Sequence, residues 1–423
     1  METRLKHQVM SPSNVEGNKK KLISLGLGDP TVYSCFRTDL AAKEAVSNAL
    51  LSGKFNGYYP PGGLPETRKA IAEYLSADLP YELSPDDVFV ASGCTQAIDM
   101  VISVLARPGA NVLLPRPGFP SYGIFSSFRN IEARYYDLLP DNGWEVNLET
   151  VKTLADQNTI AVVVINPGNP CGNAYTRQHL EEIAETVGRL GIPIIADEVY
   201  GHLAFGANPF VPMGVFGSKV QVFTLGSLSK RWLVPGWCLG WLVMNDPSGE
   251  FRNPKLIERV NKYCTISGGP ASFIQAAVPQ IMRGTNTDFF ANTINIVRRT
   301  ENLCYEKLEE LPSFSYSCKA EGSMVLMAKL NLSVLEDIGD DIEFCLKLAK
   351  EESLIILPGI AVGLKNWIRV TFAADPESIE EALGRLTDFS QRHIKQATTQ
   401  SSKIMYPTEL QRVKEENDRL LGR

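Results

Sequence analysis

Long apolar runs are missing from this 423-residue chain, as are clustered cysteines, an excess of positive charge and any repeat of fixed period. No apolar run approaches the roughly 18–20 residues of a membrane-crossing helix, so no membrane partner is expected. The formal net charge is -6. That argues against a nucleic-acid partner, whose binding face is usually basic. Small anionic ligands stay open, because a local pocket can be cationic inside an acidic protein. The eight cysteines (Cys35, Cys94, Cys171, Cys238, Cys264, Cys304, Cys318 and Cys345) form no CxxC pair and show no metal-ligand spacing. No metal centre is expected from them, and thiols in a reducing compartment are. The stretch Met1 to Lys21 is polar and basic and has no apolar h-region. A cytoplasmic protein is the resulting expectation.

What is present is an ordinary globular composition, 44% hydrophobic and 21% charged, long enough for one large domain or two of usual size. Residues 1–20 read as a flexible arm. Residues 393–423 read as a polar tail, with the charged run Lys414 to Arg419. Between them strand and helix patterns alternate. Val88 to Val90 is a short apolar run ending at Ala91-Ser92-Gly93, and Ile98, Val101, Ile102 and Leu105 follow at helical spacing. Strands are expected at Asn111 to Leu114, Ile160 to Ile165, Ile192 to Ala196 and Val220 to Leu225. An amphipathic helix is expected over Thr176 to Leu190, with Thr176 as N-cap. This order predicts an α/β fold with a largely parallel sheet between helices. From about 315 the pattern changes to strands at Ser323 to Leu330, Leu354 to Leu357 and Trp367 to Phe372, with helices at Asp340 to Glu351 and Ser378 to Arg392. A smaller α+β domain is expected there. The domain boundaries drawn are 50–314 for the large domain, and 21–49 with 315–392 for the small one.

Ligands of parallel sheets sit beyond the carboxyl ends of strands, and the informative polar residues fall at those ends. Lys230 lies in Ser227-Leu228-Ser229-Lys230-Arg231-Trp232. A lysine just after a buried strand, among hydroxyls, suits covalent catalysis, because a partly desolvated amine can attack an aldehyde. Alone it reads better as a surface lysine in a turn, and its context reverses that. In Ala196-Asp197-Glu198-Val199-Tyr200 a strand-end carboxylate precedes a tyrosine by three residues. A pyridine cofactor needs such a carboxylate on its protonated ring nitrogen and a hydroxyl on its phenolate oxygen. Asp197 taken alone reads equally as a helix cap. Asn166-Pro167-Gly168-Asn169-Pro170 supplies a second donor through Asn169, or is a proline-rich turn. Ser92-Gly93-Cys94-Thr95-Gln96 opens a helix whose free N–H groups and dipole suit a phosphate, or simply caps that helix. Ser227 adds a hydroxyl.

In this order and spacing the segments resemble fold-type I pyridoxal-phosphate enzymes, specifically class I aminotransferases of the tyrosine aminotransferase group, plant members above all. The likeness runs from about Leu22 to Arg392. It includes Arg116-Pro117-Gly118-Phe119-Pro120 as well as the segments above. It implies a large domain with a mostly parallel seven-stranded sheet and a smaller α+β domain. It implies pyridoxal 5'-phosphate held by Lys230 through a Schiff base, with Asp197 on the ring nitrogen and Asn169 and Tyr200 on the phenolate. Phe119 is implied to stack on the ring, with Tyr122 close enough to compete. Gly93, Cys94, Thr95 and Ser227 are implied phosphate contacts. Tyr58 is implied to reach the phosphate of a neighbouring subunit, hence a homodimer with shared active sites. Arg369 is implied to clamp the substrate carboxylate, for which a planar guanidinium is the natural partner; a buried structural ion pair is its other reading.

The implied activity is transamination between an aromatic L-amino acid, tyrosine or phenylalanine, and a 2-oxo acid such as 2-oxoglutarate. The alternatives are a carbon–sulfur lyase of the same family and a non-catalytic homodimer. One position departs from the family pattern: the phosphate-binding arginine expected eight residues after the lysine is Cys238, in Gly236-Trp237-Cys238-Leu239-Gly240.

Overall fold

A computed structural model of the protein describes residues 20–247, 249 and 254–395. The arm and the tail fall outside the described residues, apart from Lys20 at the end of one and 393–395 at the start of the other.

The described residues build two sheets and a two-residue strand pair. The strands in chain order are β1 (Ile23–Ser24), β2 (Val88–Ala91), β3 (Asn111–Arg116), β4 (Glu132–Leu139), β5 (Glu145–Val146), β6 (Thr159–Ile165) and β7 (Ile194–Asp197). They continue as β8 (Val222–Ser227), β9 (Gly240–Asn245), β10 (Phe314–Ser317), β11 (Val325–Leu330), β12 (Leu354–Ile355), β13 (Leu357–Pro358) and β14 (Trp367–Thr371). The large sheet has eight strands in the order β2-β9-β8-β7-β6-β3-β4-β5. β4, β3, β6, β7 and β8 run parallel, while β9 is antiparallel to both β2 and β8. The eighth strand, β5, is a two-residue edge piece antiparallel to β4. The expected mostly parallel sheet is therefore present.

β6, β7, β8 and β9 are buried along their whole lengths, because helices cover both faces. Val162, Val164, Ile194, Ala196 and Val222 pack into one apolar cluster. Their alternating neighbours Ala161, Val163, Ile165, Ile195, Phe223 and Leu225 pack into another on the opposite face. Period-two alternation on a sheet buried twice leaves no polar face. That is why these strands read as continuous apolar runs.

The smaller sheet is antiparallel, in the order β10-β11-β14-β13. Its helices are Asp341–Glu352, capped by Asp340, and Pro376–His393, capped by Asp375. The run Leu354 to Leu357 is not one strand but two. β12 pairs in parallel with β1, and β13 pairs with β14. One apolar run serves two partners, which periodicity does not reveal. The N-terminal segment thereby joins the small sheet region through β1. The helix Leu40–Leu51 instead sets Ala42, Ala45 and Ala49 against Ile274, Ala277 and Ile281 of the helix Ser272–Gly284.

Candidate active site

The parallel strands deliver their ends to one cavity of about 330 Å³. Asp197 is the last residue of β7 and Ser227 the last of β8. Asn169 lies in the turn after β6, and the helix Gly93–Leu105 starts just after β2. Gly28, Gly93, Cys94, Thr95, Phe119, Asn169, Asp197, Tyr200, Ser227, Lys230, Cys238 and Arg369 all line this space. Each of them except Gly28 is singled out by the sequence. Tyr58 is not brought in: it is fully exposed on this protomer.

The Lys230 ammonium donates to the Gly28 carbonyl and lies 5.8 Å from the Tyr200 ring centroid. A Cβ added at Gly28 would sit 3.7 Å from the Tyr200 hydroxyl and 3.8 Å from Lys230 Nζ. Lysine amine, phenol and a bare stretch of backbone therefore converge. The two glycines of Leu25-Gly26-Leu27-Gly28 are the available signal, since glycine permits such close backbone approach.

Asp197 is 3% exposed. It accepts from the Tyr122 hydroxyl at 2.9 Å and the Val199 N–H at 3.3 Å, with the Cys94 thiol at 3.8 Å. Burial holds its carboxyl above the ordinary range, and those donors oppose the shift. The Cys94 thiol and the Tyr122 hydroxyl are pushed well up, by burial first and then by the charge of Asp197. Tyr122 thus stands behind Asp197, whereas Phe119 is on the cavity wall. The sequence suggests only a stacking role for Tyr122; its contact with Asp197, 75 residues away, leaves no local pattern. The Cys94 side chain is likewise turned to Asp197, which leaves its backbone N–H as the group it offers at the helix start.

That helix start is tightly built. Gly93 has φ +76, and a Cβ on Gly240 would lie 2.5 Å from the Gly93 carbonyl carbon and 2.7 Å from Cys94 N. Glycine at 240 lets β9 press against the turn. Two residues earlier Cys238 adopts φ 48, ψ 45 and is exposed. Arg231 does not replace the missing arginine. Its guanidinium carbon lies 4.5 Å from the Phe290 ring centroid and 5.3 Å from that of Tyr74, away from the cavity. Among the described residues, Lys230 and Arg369 are the cations lining the cavity.

Arg369 sits on β14, opposite Met327 of β11 and Leu357 of β13. It is 6% exposed. Nη2 donates to the Gly26 carbonyl at 2.7 Å and Nη1 to Asn169 Oδ1 at 3.2 Å. Burial lowers its pKa, and its Nε has no hydrogen-bond partner among the described residues. Among the described residues no carboxylate pairs with this buried guanidinium, which lines the cavity and can receive an anion there. The structural ion-pair reading does not hold here.

A parallel sheet that presents a lysine and a buried acid at its strand ends, to a cavity that a buried arginine of the small antiparallel sheet also lines, has the parts of a covalent-catalysis enzyme for carboxylate substrates. Comparison with known proteins gives the family: the chain belongs to the class I and II aminotransferases, whose family model matches residues 20–386. It is 62% identical over 389 residues to the probable aminotransferase TAT2 of Arabidopsis thaliana, covering 92% of each chain. It is 46% identical over 385 residues to the S-alkyl-thiohydroximate lyase SUR1 of the same plant, covering 91% of this chain and 83% of that one. The tyrosine aminotransferase structure from Leishmania infantum superposes with a TM-score of 0.87 at 30% identity, covering 93% of this chain and 96% of that one. The protein is an aminotransferase and pyridoxal phosphate is its cofactor. The residues present fit that group: an amine, a buried acid without a cation, a glycine-built helix start and an unsatisfied guanidinium share one cavity.

Proposed function

We propose that the protein transfers the amino group of an aromatic L-amino acid, tyrosine or phenylalanine, to a 2-oxo acid such as 2-oxoglutarate, with Lys230 as the residue that attaches the cofactor. The observation that supports this most is the gathering of Lys230, Asp197, Tyr200, Asn169 and Arg369 in a single cavity. When bound, pyridoxal phosphate supplies an electron sink for the bonds at the substrate Cα. The protein's residues do the rest.

Arg369, which lines the cavity, holds the substrate carboxylate through its guanidinium. Held at that end, the substrate presents its Cα proton to Lys230 Nζ, which is tethered nearby and acts as the base once freed. Asp197, buried and lacking a cation, keeps a proton on the ring nitrogen. Tyr200 and the Asn169 amide, whose Oδ1 already faces Arg369, donate to the phenolate oxygen. Gly93 and Thr95, with the backbone of Cys94 and the Ser227 hydroxyl, hold the phosphate at the helix start. The uncharged wall of Ile98, Phe119, Val199 and Pro235 favours an apolar or aromatic side chain. Tyr58, exposed on one protomer, reaches the site of a second subunit in a homodimer.

The lyase relative defines the competing outcome. Incubation with L-tyrosine and 2-oxoglutarate, beside incubation with an S-alkylated cysteine conjugate, separates the two. Glutamate and the aromatic 2-oxo acid are expected from the first. Pyruvate and thiol from the second, without amino transfer in the first, would sink the proposal.

A further inference from the structure

Asn169 and Tyr200 arrive on turns that leave different strands, β6 and β7. To donate to one oxygen atom, both have to keep their positions closely, because a hydrogen bond weakens steeply with distance and angle. Turns hold such positions only with support from the elements around them. Here a third segment supplies it: residues 320–323, between β10 and β11 of the small sheet.

The backbone of this segment is shared between the two turns. The Gly172 carbonyl, three residues after Asn169, accepts from the Glu321 and Gly322 N–H groups, each at 2.8 Å. The Leu203 carbonyl, three residues after Tyr200, accepts from the Ser323 N–H at 2.9 Å, and the Leu203 N–H closes back on the Tyr200 carbonyl at 2.9 Å. Ala204 and Gly322 form an antiparallel bridge. The Glu321 carbonyl takes the Phe205 and Gly206 N–H groups at 2.7 and 3.0 Å. The Glu321 side chain adds a second link. Its Oε1 accepts from the Ala207 N–H at 3.3 Å. Its Oε2 accepts at 2.7 Å from Asn208 Nδ2, which also donates to the Ala174 carbonyl at 3.1 Å. The fit at Gly322 leaves no room for a side chain. A Cβ there would lie 2.8 Å from Pro167 Cβ and 3.1 Å from the Leu203 carbonyl oxygen, one contact on each turn. Glycine at 322, which is buried, is what lets both turns close on the segment.

We propose that Gly322 and Glu321 are positioning residues for the reaction: from the small sheet they clamp the Asn169 and Tyr200 turns together, and so set the two hydrogen bonds at the cofactor's phenolate oxygen. The clamp rests on the reading of Asn169 and Tyr200 as the donors to that oxygen. It goes beyond that reading by placing the control of both donors outside the cavity, on residues that touch neither substrate nor cofactor.

The test is a pH titration of the visible absorbance band of the holoenzyme. In pyridoxal phosphate the phenolate oxygen neighbours the carbon that Lys230 attacks, so it shares the proton of the nitrogen that Lys230 contributes. Donors to the oxygen weaken its hold on that proton, and an oxygen with poorer donors keeps it to higher pH. Full loss of one charged hydrogen bond corresponds to about one to two pH units. Gly322→Ala, whose methyl has to push Pro167 or the Leu203 carbonyl aside, is expected to raise the midpoint by at least about half a unit, a threefold shift. Glu321→Ala, a milder change at a partly buried position, is expected to move it in the same direction. Glu321→Gln, which keeps an acceptor for Asn208, is expected to stay nearer to wild type than Glu321→Ala. A role in packing alone would lower the thermal midpoint and leave the absorbance midpoint in place. Tyr200→Phe is the reference and is expected to raise the absorbance midpoint. If it does, and Gly322→Ala and Glu321→Ala leave the midpoint unmoved, the clamp is overturned while the donor reading stands. If Tyr200→Phe leaves it unmoved, the donor reading falls and the clamp with it. Should Gly322→Ala not fold, Glu321→Ala decides between these outcomes by itself.

Discussion

At the scale of single residues, reactivity is set by what each side chain lacks as much as by what it touches. Among the described residues Lys230 donates to a carbonyl alone, and Asp197 has donors but no cation. Removing the Asp197 charge with Asp197→Asn strips the partner from a protonated ring nitrogen. Breaking such a buried pair costs about 3–5 kcal/mol. A loss of kcat/KM on the order of 10²- to 10⁴-fold is expected from steady-state assay. Cys238 is the opposite case, a neutral side chain beside an expected dianion. Cys238→Arg adds a charged hydrogen bond, worth about 1.5–3 kcal/mol. The cofactor dissociation constant, measured on apoenzyme by absorbance titration, is expected to fall about 10- to 150-fold. No change would mean that backbone N–H groups and hydroxyls already hold the phosphate fully. Lys230, Asp197, Tyr200, Asn169 and Arg369 are legible in the sequence because each stands at a strand end or in a distinctive local phrase. Gly28 leaves only the paired glycines of Leu25-Gly26-Leu27-Gly28 as a signal, and the role of Tyr122 leaves none, because their contacts span 202 and 75 residues.

At the scale of elements, the site depends on how strands press against the helix start. Gly240 opens β9 against Gly93 and Cys94. Gly240→Ala forces that turn to move, an overpacking that costs about 1–3 kcal/mol. Weakened cofactor binding is expected together with a lowered thermal midpoint. Loss of stability with cofactor affinity unchanged would contradict the assigned phosphate site. Glu198 follows Asp197, with its Oε1 accepting from the Met213 N–H at 2.7 Å. Burial raises it from 4.5 to about 8. The folded chain therefore holds a proton there that the unfolded chain releases above about pH 4.5. Stability contributed by this group is fully present below that pH and is lost as pH rises towards 8. Glu198→Gln keeps the acceptor and removes the titration. Its thermal midpoint is expected to match wild type near pH 4.5 and to exceed it near pH 8. β6 and β8 are legible as apolar runs because both faces are covered. The antiparallel sense of β9 and its place between β2 and β8 are not, because non-local pairing specifies them.

At the scale of the whole molecule, the cavity belongs to two sheets. The large sheet brings Lys230 and Asp197, and β14 of the small sheet brings Arg369, which reaches Asn169 and Gly26 across the boundary. In the proposed homodimer the exposed Tyr58 would extend this sharing to a second copy. A mixture of Tyr58→Ala and Lys230→Ala chains, refolded together, tests it. With random pairing, half the dimers are mixed and each regains one intact site, so about a quarter of wild-type activity is expected. No recovery above the separate variants would place Tyr58 outside the neighbour's site.

Whether Lys230 is the point of cofactor attachment is decided by borohydride reduction of the holoenzyme, followed by peptide mapping of the cofactor adduct. The adduct is expected on Lys230, with the visible absorbance band of the bound cofactor lost in Lys230→Ala. An adduct on another lysine, or an unchanged band in that variant, would contradict the assignment.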